Sequence, residues 1–290
     1  MRCACIDVGS NTTRLLVAEP IPGGIRVLCN ERVFTLIGRS LGEDARIPAE
    51  KVEETAEAVA AQAGQARALG VERIRAVATA AIRRAANARE LVAAVEHRAS
   101  LPLEVLTGEE EARLAYKGAA HVFGGAGTLA VVDVGGGSTE IAFGDAEGRI
   151  EYATSVPVGS STLAERHLVS DPPRIEQIER ARNEVAQAFG GFEPRQVDRA
   201  VAVGGSASSL QHLAGSELGE EELAVALEIL RSESAWDIAA RFELDPERVR
   251  LMPAGLLVLA ELAGRLRQPL RICKGGLREG VIMEMIERPD

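Results

Sequence analysis

Aromatic residues are scarce in this chain: one tryptophan, two tyrosines and six phenylalanines among 290 residues. With so few of them, Trp236, in Ser234-Ala235-Trp236-Asp237-Ile238, is expected to anchor the core rather than to serve as a base-stacking platform. Positive charge is short as well. The net charge of −10 removes the basic surface that a general nucleic-acid coat requires. Lysine is nearly absent, with only Lys51, Lys117 and Lys274 among 33 basic residues. Most of the arginines fall at solvent-facing helical spacings, as at Arg241 and Arg248, and read as a compositional preference. A local arginine cluster can still hold a polyanion inside an acidic protein. No apolar run approaches the ~18 residues needed to cross a bilayer. Met1 leads straight into a strand rather than a signal peptide, so a cytoplasmic protein with no membrane partner is expected. Cysteine is limited to Cys3, Cys5, Cys29 and Cys273. They have no His-rich companion motif, and His97, His121, His167 and His212 show no metal-ligand spacing. A zinc site is not expected, and reduced thiols are.

What is present is a sentence written twice. Cys3-Ala4-Cys5-Ile6-Asp7-Val8-Gly9-Ser10-Asn11-Thr12-Thr13 and Ala130-Val131-Val132-Asp133-Val134-Gly135-Gly136-Gly137-Ser138-Thr139-Glu140 each run from an apolar strand through Asp-Val-Gly into small hydroxyl and glycine residues. Further apolar stretches follow, Leu15-Leu16-Val17-Ala18 and Ile141-Ala142-Phe143. The pattern predicts two hairpins whose tips offer backbone N–H groups and hydroxyls to phosphate. An aspartate beside such a tip is placed to hold a hydrated Mg²⁺ or a water. Two such tips suggest a phosphate chain gripped between two domains.

The remaining pattern supports duplication. Strands are expected near 2–8, 13–19 and 25–37, then a helix over 49–69, a buried strand over 74–78, helical sequence over 80–98, a short strand over 103–106 and a helix from Gly108. Gly124-Gly125-Ala126-Gly127 is the linker candidate. The second half opens in the same way, with strands near 129–134, 139–144 and 149–157 and a helix from Ser160. A helix over 174–189 and a buried strand over 200–203 follow, then largely helical sequence to Leu266, a strand near 270–273 and a helix from Leu277. The alternation predicts an α/β fold with mixed sheets, divided into an N-terminal phosphate-binding domain over 1–125 and a C-terminal domain over 126–290. The apolar helix around Leu256-Leu257-Val258-Leu259 and Leu262 fits either interdomain core or a homodimer surface.

Three further turns have the chemistry to join the two tips in one cleft. At Thr79-Ala80-Ala81-Ile82-Arg83 a strand passes into a helix, with Thr79 placed to cap it and Arg83 to pair with a phosphate. At Gly204-Gly205-Ser206 glycines permit a ligand to approach the backbone. At Thr107-Gly108-Glu109-Glu110-Glu111 three glutamates open a helix. Acidic residues in a first turn stabilise a helix by roughly 0.3–1 kcal/mol each, so two need no other explanation. A hydrolase also needs a carboxylate to deprotonate water, and spacing alone does not select one of the three.

Taken in order, the segments IDVGSNTTRLLVAE, VATAAIRRAANARELV, LTGEEEARLAYKGA, VVDVGGGSTEIAFG, SVPVGSSTLAERHL, AVGGSASSL and GGLREGVI resemble the exopolyphosphatase/guanosine pentaphosphate phosphatase family, within the superfamily of sugar kinases, actins and chaperone ATPases. The resemblance spreads over nearly the whole chain. It implies two ribonuclease-H-like (actin-like ATPase) domains with the active site in the cleft between them. The implied activity is hydrolysis of terminal phosphate from inorganic polyphosphate or guanosine pentaphosphate with Mg²⁺, or Mn²⁺ in its place. The family's catalytic base falls on Glu111 and its metal- and water-linked aspartate on Asp133, with Asp7 and Glu140 as the other candidate metal ligands. Its phosphate loops fall on Asp7, Gly9, Ser10, Asn11 and Thr12, and on Gly135, Gly136, Gly137, Ser138 and Thr139. Thr79, Arg83, Gly159, Ser160, Gly204, Gly205 and Ser206 are the remaining phosphate contacts expected.

The chain departs from the family pattern at its end. Cys273 and Lys274 stand where a serine and an acidic residue usually precede Gly-Leu-Arg-Glu-Gly, and Arg250-Leu251-Met252 precedes Pro253-Ala254-Gly255 where an aspartate is common. These changes bear on substrate choice and domain packing. The sequence also ends without the C-terminal helical extension of long family members, which leads to an expected preference for short polyphosphate or nucleotides. A small-molecule kinase of the same superfamily and a non-catalytic sensor of phosphate chains are the rival expectations. The kinase lacks a visible acceptor-binding insertion, and Glu111 and Asp133 speak against the sensor.

Overall fold

The structure, a computed structural model, describes residues 1–42 and 44–288. The first half runs β1 (Cys3–Val8), β2 (Thr12–Ile21), β3 (Gly24–Phe34), α1 (Ile37–Ser40), α2 (Ala49–Ala68), β4 (Arg73–Ala78), α3 (Ala80–Arg84), α4 (Ala88–Ala99), β5 (Leu103–Val105) and α5 (Gly108–Phe123). The second runs β6 (Thr128–Val134), β7 (Thr139–Asp145), β8 (Ile150–Val156), α6 (Ser160–His167), α7 (Ile175–Ala188), β9 (Arg199–Val203) and α8 (Gly204–Ala214). It ends with β10 (Glu217–Leu218), α9 (Glu220–Ser232), α10 (Ala235–Phe242), α11 (Pro246–Val249), α12 (Met252–Leu266), β11 (Leu270–Ile272) and α13 (Leu277–Glu287). The helical sequence expected over 80–98 is two helices, interrupted at Ala85-Ala86-Asn87, where the Asn87 side chain bonds both backbone groups of Ile47.

Each half builds one sheet. The first has the order β3-β2-β1-β4-β5 and the second β10-β11-β9-β6-β7-β8. In both, the first three strands pair antiparallel and the next two join in parallel, and β10 adds an antiparallel edge to the second sheet. This is the mixed-sheet, ribonuclease-H-like arrangement the sequence led us to expect, present twice. Strand β1 shows why so apolar a run forms a central strand. Ala4, Ile6 and Val8 face one core with Val52, Val59 and Leu91, while Cys3 and Cys5 face another with Leu277, Val281 and Ile282. A strand alternates its side chains, so a strand covered on both faces must be apolar throughout. Helix α2 covers the first face with Val52, Ala56, Val59, Ala63 and Ala66, a stripe at helical spacing.

The expected boundary at 125/126 falls in the turn between α5 and β6, and the helices that end the two halves are exchanged. Ala112, Ala115, Tyr116 and Ala119 of α5 pack on Leu129, Val131 and Ala142 of the second sheet. Leu277, Val281 and Met285 of α13 pack on β1 and β2 of the first. The two helices cross at glycines. A side-chain carbon on Gly118 would collide with the Gly276 carbonyl oxygen, and one on Gly280 with the Leu114 carbonyl oxygen.

Leu256, Leu257, Val258, Leu259 and Leu262 all lie in the core of the second half, so these side chains pack within one half and not between the two. Trp236 does not anchor the core. Its side chain is 72% exposed, because α10 turns Ala235, Ile238 and Ala239 inward at helical spacing and leaves position 236 outside that stripe. All four cysteines are free. Among the described residues no helix is long and apolar enough to cross a membrane.

Candidate active site

The two glycine tips face one cleft of about 450 Å³ between the sheets. They are built alike. Gly9 N–H donates to the Thr12 carbonyl at 3.0 Å, and Gly135 N–H to the Ser138 carbonyl at 3.0 Å. In the first tip the Ser10 and Asn11 carbonyls accept from Gly38, Thr35 and Leu36. In the second the Gly135 and Gly136 carbonyls accept from Ser160, Ser161 and Thr162. The carbonyls are thereby consumed. The N–H groups of Ser10, Asn11, Gly136 and Gly137 donate to no protein atom among the described residues, which is the condition for an anion nest. The first tip also reaches the helix behind the second: Asn11 Nδ2 donates to Ser161 Oγ of α6 at 2.6 Å.

The floor carries Asp7 and Asp133, one from the end of each central strand. Burial lifts the Asp7 carboxyl above its usual range, against the pull of Arg278 and Arg14. Burial and the Asp7 charge push Asp133 up to about 6. Asp7 Oδ1 has no protein partner. Gly204, at φ +80°, approaches so closely that a side-chain carbon there would strike Asp133 Oδ1. Glycine adopts this left-handed backbone without steric cost and leaves that oxygen accessible.

The three glutamates of α5 have separate tasks. Glu109 pairs with Arg113 on the surface at 3.3 Å. Glu110 closes a capping box: its carboxylate accepts from Thr107 N–H at 2.8 Å while Thr107 Oγ1 accepts from Glu110 N–H at 3.2 Å. Glu111 is buried and enters the cleft, where Arg83 Nη1 donates to its Oε2 at 2.9 Å. Burial, and then the charge of Glu140, raise the Glu111 carboxyl well above the usual range, with Arg83 opposing them. Glu140 accepts from Ser138 Oγ and Ser155 Oγ, both at 2.7 Å, yet burial and Asp133 still push it up to about 7.

Most other expected residues meet the same space. Thr79, Ser138, Ser160, Gly204, Gly205 and Ser206 line it with the tips. Four depart from expectation in detail. Thr79 makes no side-chain cap on the five-residue α3. Arg83 is engaged by Glu111 and by the Leu106 carbonyl rather than pointing free at the tips. Thr139 turns away and donates to the Val158 carbonyl at 2.6 Å. Gly159 lies behind Gly136 and Gly137, packed against their backbone, and does not line the cleft.

The sequence reading missed a set of cations. Arg14, Arg39, Arg248, Lys274 and Arg278 all line the cleft. Arg248 is not on a solvent-facing helical surface: it donates to the Gly205 carbonyl at 2.9 Å and to Ser209 Oγ, bracing the start of α8. Arg14 stands directly across from Asp7 in the strand pairing. Burial and Arg278 lower it to about 10, and its Nε has no protein partner. A charged residue within a buried strand was the available signal for Arg14. For Arg278 it was the GGLREGVI segment. Cys273 and Lys274 line the cleft, whereas Arg250 lies outside it.

Mg²⁺ fits this donor set as a partly hydrated ion. Among the described residues no three His, Cys, Asp or Glu side chains converge to hold a metal by themselves. Mg²⁺, however, is commonly held by one or two carboxylates together with waters and substrate phosphates. Asp7 and Asp133, facing one space with Asp7 Oδ1 unpartnered, match that pattern. Glu140, expected as a third ligand, has one oxygen taken up by two serines.

Two glycine tips across a cleft, with buried acids on its floor, define a phosphate-handling α/β protein of two related halves. The Ppx/GppA phosphatase family matches residues 16–289, and the chain belongs to it. It is 28% identical, over 98% of its length, to a guanosine-5'-triphosphate,3'-diphosphate pyrophosphatase of Vibrio cholerae serotype O1, and spans 59% of that relative. The Aquifex aeolicus Ppx/GppA family member is 29% identical, with a TM-score of 0.85 covering 100% of this chain and 99% of that one. An exopolyphosphatase from Cytophaga hutchinsonii shares the fold at 19% identity, with a TM-score of 0.86 over 99% and 98% of the two chains.

Proposed function

We propose that this member of the family hydrolyses the terminal phosphoanhydride of inorganic polyphosphate, of guanosine pentaphosphate, or of both, with Glu111 as general base. The observation that supports it most is the placement of Glu111: buried, held by Arg83, and opening into the cleft that two opposed glycine tips line. A carboxylate raised above its usual range is a stronger base than an exposed one.

In this reading the free N–H groups of Ser10, Asn11, Gly136 and Gly137 hold the oxygens of the terminal phosphoryl group, with the hydroxyls of Ser10 and Ser138 nearby. Glu111 accepts a proton from water as the water oxygen bonds to phosphorus. The bond from phosphorus to the bridging oxygen breaks, and its electrons leave with the shortened chain. Arg83 holds Glu111 at the angle this transfer needs. A Mg²⁺ held by Asp7 and Asp133 would neutralise charge on the phosphoryl oxygens.

The test is phosphate release with Mg²⁺ or Mn²⁺ from short polyphosphate, long polyphosphate, guanosine pentaphosphate and ATP. Release from either of the first two classes, or from the pentaphosphate, is expected. Glu111→Gln should retain binding and lose about 10²- to 10⁴-fold in kcat. Near wild-type turnover by that variant removes Glu111 from the mechanism, and binding without any release makes the protein a sensor.

A further inference from the structure

The pairing of the second sheet lays out the cleft floor as a row. Glu140 on β7 pairs with Asp133 on β6, and Asp133 pairs with Val203 on β9. On the far side of β9, Ile272 of β11 pairs with Ala202, and Cys273 N–H donates to the Ala202 carbonyl at 2.9 Å. Glu140, Asp133, the Val203–Gly204 step and the Cys273–Lys274 step therefore follow one another across four neighbouring strands. Strands lie ~4.8 Å apart, so three spacings place Lys274 about 14 Å along the floor from Glu140. Glu140 is beside Glu111 and marks the reacting end. Lys274 marks the other.

Lys274 is exposed, lines the cleft, and has no ion pair or hydrogen bond among the described residues. The other cations near that end are engaged. Arg248 braces Gly205 and Ser209, and Arg278 donates to the Leu15 carbonyl and Asn30 Oδ1. The floor between the two ends offers the N–H groups of Gly205 and Ser206 in the first turn of α8, whereas the hydroxyls of Ser206, Ser208 and Ser209 donate to the carbonyls of Val134, Gly204 and Gly205. Among the described residues the only aromatic one lining the cleft is Phe34, on the opposite wall. A base therefore meets no aromatic face along this row, whereas an unbranched anion meets the N–H groups at the start of α8 and an unused cation at the limit of the row.

We propose that Lys274 is a distal phosphoryl subsite, which recognises a linear polyphosphate long enough to cross from the Glu111–Glu140 end to β11. This rests on the hydrolase reading above and assigns its substrate preference: linear polyphosphate in preference to a nucleotide. Lysine acts here as a point charge on a flexible stem, suited to a phosphoryl group whose orientation does not matter to the reaction.

The test is steady-state hydrolysis of tripolyphosphate, of a polyphosphate of tens of units and of guanosine pentaphosphate, by the wild-type chain and by Lys274→Ala and Lys274→Asp. For the long chain, KM is expected to rise about 5-fold in Lys274→Ala and further in Lys274→Asp, with kcat unchanged and a weaker salt dependence. Tripolyphosphate spans less of the row than the long chain, and its KM should move less. Direct binding of long polyphosphate to Lys274→Asp in the Glu111→Gln background gives the same comparison without turnover. An unchanged KM for the long chain in both variants, or an equal rise for tripolyphosphate, overturns the subsite. So does a wild-type preference for guanosine pentaphosphate that Lys274→Asp leaves in place. Absence of hydrolysis of every substrate by the wild-type chain overturns the hydrolase reading instead, and the binding comparison then decides Lys274 alone.

Discussion

At one matched position the two halves carry opposite charges. Asp7 pairs across its hairpin with Arg14, whereas Asp133 pairs across its own with Glu140. The turn bonds Gly9–Thr12 and Gly135–Ser138 and the order of five strands are repeated. The duplication supplies two equivalent cradles, and one substitution in register divides their labour. The first hairpin presents a cation beside its aspartate and is suited to holding an anion. The second presents two acids, Asp133 raised by burial and by Asp7, and Glu140 by burial and by Asp133, and is suited to handling protons. Helix α5 carries Glu111 from the first half onto the second sheet, so the base joins the acidic side.

That division can be broken most directly at Arg14. Arg14→Gln is expected to raise KM for phosphate substrates about tenfold with little change in kcat, since a charged hydrogen bond contributes roughly 1.5–3 kcal/mol. A fall in kcat at constant KM would place Arg14 with the reacting groups and erase the distinction between the hairpins.

A smaller effect is expected from Glu140. Its carboxyl titrates at about 7 in the folded protein against an ordinary 4.5. The folded state therefore binds this proton more tightly than the unfolded state does. The resulting stability is complete below about pH 4.5 and is lost as pH rises to about 7. In metal-free buffer Tm should fall from about pH 5 to about pH 8, and Glu140→Gln should flatten part of that fall. Equal slopes for wild type and variant would show that Glu140 is ionised in the fold at no cost.

The smallest effect concerns the polar bridge between halves at the cleft mouth. Arg39 of α1 pairs with Glu247 at 2.6 Å and with Glu165 at 3.6 Å. These groups are partly exposed, so Arg39→Ala should cost under about 1 kcal/mol, with the loss vanishing at high salt. A larger, salt-insensitive loss in chemical denaturation would mean that the mouth, and not the crossing of α5 and α13, holds the halves together.

Much of this was legible in the sequence because it is written in local pattern. The doubled Asp-x-Gly turns, the apolar run of β1 and the strand-to-helix turns at Thr79 and Gly204 are short-range signals, and the structure brings all of them to one cleft. What was not legible depends on register and on crossings between distant segments. Spacing could not separate Glu109, Glu110 and Glu111, whose tasks are set by Arg113, Thr107 and Arg83. Arg248 resembled a surface arginine until α11 carried it to Gly205. Trp236 resembled core until α10 turned it outward. Lys274 becomes informative only when β11 takes its place beside β9.

The exchange of α5 and α13 has a consequence for anyone who wishes to divide the chain. A fragment cut at the glycine turn after Phe123 would keep α5 but lose the cover over Cys3, Cys5 and Leu16, and its counterpart would keep α13 while baring Leu129, Val131 and Ala142. Each piece would expose an oily sheet and carry a helix with nowhere to dock. Mixed together, the two should reassemble by trading helices, much as complementary fragments of a split reporter do.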